Sequence, residues 1–286
     1  MKRVGLILPH IAEVFSSAYY SRILAGVSEG LLNSACDLRV LLLKPNRSWD
    51  QYDFKSKEKI HGLILTQWSN YFNEEAFVQK IDLPCVVIND FDRRVVAPFV
   101  YADQVGGGRK AAEYFYHRGH RRVAAVAGPA WSQDSHQRMK GFLEFFQENG
   151  VIISTDNIVA GDYHEEMAYE IVSALFQKNI KPTALFCCND LMAYGVIRRL
   201  KDLGIRCPDD VSVVGFDDHP LAITHHPPLT TIRVPMAELA REAATLLLDY
   251  FKRSDFVQPL AGEIVKPVEL VERGSVKFLT DEIRHR

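Results

Sequence analysis

The sequence predicts an α/β protein made of two doubly wound parallel-sheet subdomains. Three observations carry that reading. Apolar, Val-rich runs alternate with helix-period segments almost throughout the chain. The runs are apolar at successive positions, as in strands buried on both faces of a sheet covered by helices. About ten such strands in 286 residues suit two sheets better than one.

The elements run in order. "VGLIL" is the first strand, and "SSAYYSRILAGVSEGLLN" is a helix with Tyr20, Ile23, Leu24, Val27 and Leu31 at helical spacing. "LRVLLLK", "GLILT", "CVVIN" and "FVYAD" are further strands, so a natural division falls near Asp103. The helix "QVGGGRKAAEYFYHRG" then leads to the strand "RRVAAVAG" and the helix "SHQRMKGFLEFFQENG". Next come the strand "NIVAG", one helix over "EEMAYEIVSALFQKN", and the strand "TALFCCN". The helix "DLMAYGVIRRLKDLG" stops at Gly204 before "VSVVGFDD". A Pro-punctuated segment, "HHPPLTTIRVP", precedes a last long helix, "MAELAREAATLLLDYFKR".

Composition narrows the function. With 47% hydrophobic residues and 24% charged residues the chain reads as globular, and a net charge of -2 argues against a dominant nucleic-acid footprint, because phosphate binding would need a basic face. No stretch approaches the ~20 apolar residues of a membrane span. "MKRVGLILPH" breaks at Pro9-His10, too soon for a signal-peptide core, and reads as a strand. Five cysteines without CxxC spacing read as reduced, mostly buried thiols, in keeping with a cytoplasmic location.

Ligands of open α/β sheets bind outside the carboxyl ends of the strands. Here His10, Gln67-Trp68, Asn89-Asp90, Trp131, Tyr163, Asn189-Asp190 and Asp217-Asp218 occupy those ends. The bland alternative is that Asn and Asp cap the next helix, worth ~1 kcal/mol each. Asp103 and Asp190, directly before helices, fit that role; Asn189 and Asp217, one place earlier in their pairs, fit ligand contact better. Arg138 offers a planar five-donor fork, either to a ligand or to a salt bridge. Tyr19 and Tyr20 open the first helix, one ring lining a cleft or both packing in the core. Such a set suits a neutral polyol or a small planar polar ligand.

Several motifs carry no chemistry. "GGGRK" (106–110) matches neither GxxxxGK[ST] nor GxGxxG and reads as close packing at a helix start. "HRGHRR" and "THHPP" lack metal-ligand spacing and read as surface turns. GxSxG and HExxH are absent, and no nucleophile-base pair stands out, so the chain does not read as an enzyme.

"VGLILP", "YADQVGGGRKAAEYFYHRGHRRVAAVAGP", "RMKGF", "TALFCCNDLMAYGVIRRLKDLGIRCPDDVSVVGFDDHP", "PPLTTIRVPMAELAREAATLLL" and "LVERGS" resemble, in order along nearly the whole chain, the effector-binding domain of LacI/GalR-type transcriptional regulators. The resemblance implies a periplasmic-binding-protein-like fold of type I, with three crossover segments between subdomains. It places residues 1–102 plus 235–262 in the N-terminal subdomain and 103–234 plus 263–286 in the C-terminal one. It makes Arg138 the principal effector-binding arginine and Asp217 the acceptor of ligand hydroxyls or amines. Asn189 and Asn89 line the same site, Tyr163 is an aromatic platform, Tyr19 and Tyr20 are ring-stacking positions, and Met236 is an apolar contact.

The resemblance further implies a cytoplasmic homodimer that senses a small effector, most simply a sugar, in a cleft between subdomains, without a cofactor. Met192, Val196 and Ile197 fit either its dimer interface or the core. Binding would shift an open-closed equilibrium, the allosteric link to operator DNA. Contact with DNA would be made only through a helix-turn-helix head, which family members carry ahead of the first strand and which is missing from this sequence. The alternatives are a purine- or nucleoside-responsive regulator, and a periplasmic-type sugar transport receptor.

Overall fold

The structure is a computed structural model that describes residues 1–10, 14–44, 53–66, 83–89, 97–177, 181–252 and 262–279. Its strands are β1 (Lys2–Pro9), β2 (Cys36–Leu43), β3 (Gly62–Thr66), β4 (Cys85–Ile88), β5 (Pro98–Ala102), β6 (Val123–Ala127), β7 (Ile158–Ala160), β8 (Ala184–Cys187), β9 (Ser212–Phe216), β10 (Thr230–Arg233), β11 (Gly262–Lys266) and β12 (Glu269–Val271). The helices are α1 (Ala18–Leu31), α2 (Gln104–His117), α3 (Gln133–Glu148), α4 (Glu165–Ile171), α5 (Ser173–Gln177), α6 (Asp190–Asp202) and α7 (Met236–Lys252). The single helix expected over 165–179 is interrupted at Val172, which separates α4 from α5.

The chain divides into two units, one of Met1–Ala102 with Pro235–Lys266, the other of Asp103–Val234 with Pro267–Arg286. The first holds a sheet in the order β11-β5-β4-β3-β1-β2, parallel throughout. The second holds β12-β10-β9-β8-β6-β7, parallel except where β12 runs against β10. The sequence reading ended the first segment at residue 262; β11 carries it to Lys266, because its backbone pairs with β5 over that whole length. Central strands are buried from end to end, as in β3, β4, β8 and β9. That burial is why they lack polar alternation.

Helices lie close where glycine removes the side chain. An added Cβ at Gly108 would overlap the carbonyl oxygen of Arg138, and one at Gly141 would overlap that of Val105, so α2 and α3 meet backbone to backbone. Gly107 similarly accommodates the Phe216 ring, and the Asp103 carboxylate caps α2 by accepting from the Gly106 N–H at 2.7 Å. The Gly-rich run is therefore a packing device, as its sequence context implied. In the first unit, Gly26 and Gly30 of α1 make room for the backbone of α7 near Ala237 and Arg241.

His120 corrects one expectation. Its motif read as a surface turn, yet the ring is fully buried, with Nδ1 3.0 Å from the Thr183 hydroxyl and Nε2 3.2 Å from the carbonyl oxygen of Lys277. The cause is the C-terminal segment, which crosses this spot: Leu279 N–H donates to the Arg118 carbonyl. Met192, Val196 and Ile197 are buried within the second unit itself, which settles them as core positions. All five cysteines are free thiols, and burial pushes Cys85 up to about 12.

These contacts set the cost of disturbing them. Gly108→Ala, which forces two helix backbones apart, should cost about 3 kcal/mol in urea unfolding. Gly150→Ala, in open space at φ +75, should cost only about 1 kcal/mol. Burial lowers the pKa of His120 to about 4 from an ordinary 6.5. The unfolded chain therefore takes up the proton first. This contribution is complete above pH 6.5 and declines by about 3 kcal/mol as pH falls to 4. His120→Gln should flatten that slope in unfolding measured at successive pH values.

Candidate functional site

In the second sheet, strand order reverses between β6 and β8, the point where doubly wound folds bind ligands. Arg138, on α3, projects to that point. Its side chain is only 4% exposed. Nε donates to the Gln104 side-chain oxygen at 2.8 Å, and one terminal nitrogen donates to the Cys188 carbonyl, just past β8, at 2.6 Å. That nitrogen also lies 3.1 Å from an oxygen of Asp217, and the other lies 3.8 Å from Asp134, one turn earlier on α3. The guanidinium carbon sits 3.9 Å from the centroid of the Phe216 ring, a cation–π contact. Burial weighs most heavily against this charge. Asp217 above all, then Tyr163 and Asp134, nevertheless hold the pKa above that of an ordinary arginine.

The two adjacent acids after β9 have separate tasks. Asp217 faces Arg138, whereas Asp218 accepts from Arg233 at 2.7 Å and Arg273 at 2.6 Å. Burial raises the Asp218 pKa, but the hydrogen bonds from Arg273 and Arg233 outweigh it and leave the carboxyl below its usual range. Both residues have left-handed backbone, φ 104 and 51, a conformation that sends successive side chains in divergent directions and costs about 1–3 kcal/mol each.

The capping role expected of Asp190 falls to Asn189. Asn189 caps α6, its side-chain oxygen accepting from the Met192 N–H at 2.8 Å, while its amide donates to the Tyr163 carbonyl at 3.2 Å. Asp190, the expected cap, instead accepts from the His219 N–H at 2.6 Å and the Thr231 hydroxyl at 2.5 Å. It thereby ties α6 to β10. Burial, then the charge of Asp217, pushes the Asp190 carboxyl well above the usual range, while Thr231 and His219 hold it back.

Tyr163 completes the cluster. Its hydroxyl lies 2.8 Å from that of Ser132, the cap of α3, and its ring fills the space above Gly128. Burial raises its pKa; Arg138 draws it down and Asp134 pushes it up. The phenol therefore stays protonated. Asp162 and Tyr163 are a second left-handed pair, φ 51 and 63, after β7. Trp131 is 60% exposed near the same helix start.

The first unit has a smaller cluster at the carboxyl ends of its own strands. Asn89 is buried at φ 47 after β4, its side-chain oxygen 3.5 Å from the Ala102 N–H and its amide 3.4 Å from the Tyr19 hydroxyl. Tyr19 and Tyr20 meet edge to face at 5.0 Å. Tyr19 is half-buried, but Tyr20 is 6% exposed and packs in the core, because helical rotation turns it toward the sheet. Met236, at the start of α7, is also a core residue. His10 is exposed, and its backbone N–H donates to the Leu43 carbonyl. Gln67, Trp68 and Asp90 lie outside the described residues.

Residues 112–276 match the family model described as a periplasmic binding protein-like domain. The chain belongs to this family. Its curated relatives include the HTH-type transcriptional repressor CytR of Escherichia coli K12, 32% identical over 222 residues, 78% of this chain and 64% of the relative. The chain thus spans just under two thirds of that repressor. The Probable HTH-type transcriptional repressor ExuR of Bacillus subtilis is 28% identical over 279 residues, 97% of this chain and 81% of the relative. Among solved structures, a transcriptional regulator CelR–cellobiose complex superposes with TM-score 0.83 at 25% identity, covering 96% of this chain and 84% of that one. A LacI-family regulatory protein from Chloroflexus aggregans gives 0.83 at 24% identity, covering 97% and 99%. CytR and ExuR are named as transcriptional repressors, CelR as a transcriptional regulator and the Chloroflexus protein as a LacI-family regulatory protein, so the resemblance read from the motifs and the periplasmic-binding-protein-like fold drawn from it are borne out. Among the described residues, no helix is long and apolar enough to cross a membrane.

Gln104 and Asp134 contact Arg138 and Ser132 contacts Tyr163, yet none of the three was singled out from the sequence. Asp134 had a signal, since a carboxylate four residues before an arginine shares its helix face. Removing the guanidinium strands several partners at once. Arg138→Ala should therefore cost about 3 kcal/mol in chemical unfolding. Asp217→Asn, at a position 35% exposed, should cost about 1 kcal/mol.

Proposed function

We propose that this chain is the effector-binding domain of a LacI-type transcriptional regulator that senses a small polar molecule, most simply a sugar. The observation that carries the proposal is the buried Arg138, held rigid by Gln104 and Cys188 and opposed by Asp217 at the switch point of its sheet. A fork fixed in this way presents its remaining donor capacity without losing side-chain freedom on binding. Asp217 supplies acceptors for hydroxyls or amines, and Tyr163 supplies an aromatic face with a protonated phenol.

Within the first unit, Asn89 and Tyr19 offer an amide and a ring at the carboxyl ends of that sheet's strands, and Tyr20 and Met236 are packed in its core. Sugar sensing is supported by the cellobiose held by CelR, a structural relative. The effector shifts a population between two arrangements of a cytoplasmic homodimer, which sets how DNA-binding heads meet their operator. No cofactor enters. A nucleoside effector is the second reading, since a buried amide and aromatic rings also suit a planar base.

Calorimetry against neutral pentoses, hexoses, disaccharides and nucleosides tests the proposal. One compound should bind saturably. Arg138→Gln and Asp217→Ala should each weaken it by about 100-fold, the loss of one or two charge-assisted hydrogen bonds. Unchanged affinity in both variants, or turnover of the bound compound, would refute it.

A further inference from the structure

Three consecutive residues beyond β8 each reach one of the groups proposed to meet the effector. The Cys188 carbonyl accepts from Arg138 at 2.6 Å, and the Asn189 amide donates to the Tyr163 carbonyl at 3.2 Å. Asp190 holds the loop that carries Asp217. One of its carboxylate oxygens accepts from the His219 N–H at 2.6 Å, the other from the Thr231 hydroxyl at 2.5 Å. That hydroxyl in turn accepts from the Asp218 N–H at 3.4 Å, and the Asp217 N–H donates to the Ile232 carbonyl at 2.7 Å. Three successive backbone N–H groups are thus taken up, the first by β10 and the last two through Asp190 and its relay, Thr231. Gly215 on β9 leaves room for this buried carboxylate, since an added Cβ there would overlap an Asp190 oxygen.

We infer that Asp190 is a positioning residue: it fixes the exit of the 217–219 loop so that the Asp217 carboxylate meets Arg138, and it sets effector affinity through that acid. Its effect on affinity rests on the effector reading above; its hold on Asp217 does not. A side chain's direction follows the φ and ψ of its own residue, so it is set only when the chain is anchored on both sides. The bond to Ile232 anchors the entry to Asp217, and Asp190 anchors the exit. Between them lie φ 104 at Asp217 and φ 51 at Asp218, conformations that persist only where the surroundings over-determine them. Releasing the exit lets Asp217 relax to negative φ and swings its carboxylate from its place 3.1 Å from Arg138. A bridge that merely joined α6 to β10 would add stability without governing the environment of the guanidinium.

The experiment reads the Arg138 guanidinium directly, by NMR of the full chain labelled with 15N-arginine, and needs no effector. Asp217→Asn supplies the reference position for an Arg138 that has lost its carboxylate. Asp190→Ala removes both acceptors, and Thr231→Val keeps the side-chain shape while removing the hydroxyl relay. Each should move the Arg138 Nε–H resonance towards the Asp217→Asn position, and adding Asp217→Asn to either should move it no further. Thr231→Ser, which restores the hydroxyl, should return it to the parent position. Arg109, paired with Glu148 at 2.7 Å, should stay in place throughout. An Arg138 resonance unmoved in either variant, once folded, would overturn the inference. So would an equal displacement at Arg109, the mark of a general loosening. Should Asp190→Ala fail to fold, Thr231→Val and Thr231→Ser carry the test. A second arm titrates cellobiose, glucose and adenosine by calorimetry. Whichever binds the parent should bind Thr231→Val about tenfold more weakly and Thr231→Ser equally well. Equal affinity for Thr231→Val would overturn the link to binding. If none of the three binds while the resonances move as described, that failure falls on the effector reading and the hold on Asp217 stands.

Discussion

The buried guanidinium of Arg138 organises the second unit. It reaches Gln104 at the start of α2, the carbonyl beyond β8, and both the acid beyond β9 and the adjacent Phe216 ring, so one side chain registers three segments that are distant in sequence. The arrangement depends on how closely α2 and α3 approach. Gly108 rests on the carbonyl of Arg138 itself, and any side chain there would displace the backbone that carries the fork. A buried charge is costly unless it is paired and hydrogen-bonded. Here Gln104, the Cys188 carbonyl and Asp217 supply partners, and Asp217 is placed to do so by a left-handed backbone that few residues other than glycine, asparagine or aspartate accept readily.

The doublet of acids after β9 shows how local strain is converted into chemistry. Two consecutive left-handed residues turn the carboxylates apart, one to the arginine on α3 and the other to a pair of arginines on β10 and the C-terminal segment. Asp162-Tyr163 repeats the device after β7, and Asn89 uses a single left-handed step after β4. Strained backbone thus coincides with polar residues at the carboxyl ends of three strands, β4, β7 and β9.

Most of the architecture was legible because its signals are periodic. Val-rich runs gave β3, β4, β8 and β9, and helical spacing gave α1. Arg138 and Asp217 were singled out from their motifs, and the structure brings them within 3.1 Å of each other. The features that escaped depended on partners far along the chain. Whether Asn189 or Asp190 caps α6 is decided by Thr231 and His219, which capture Asp190 from about 30 to 40 residues away. His120 looked like a turn residue because the segment that covers it lies 157 residues later. Tyr19 and Tyr20 are identical side chains on adjacent positions, and only the rotation of α1 against its sheet assigns one to the core and the other to partial exposure.

Neither unit is a continuous stretch of polypeptide. The first sheet takes its edge strand, β11, and the helix that covers α1, α7, from residues beyond 234, after the whole intervening portion of the second unit. During synthesis on a ribosome, the first hundred residues therefore emerge without the partners that would hide α1 and the outer face of β5. They must wait for more than a hundred further residues before closing. The nascent chain carries that exposed apolar surface until Lys266 has been translated, a window of exposure to aggregation that a contiguous unit would not have.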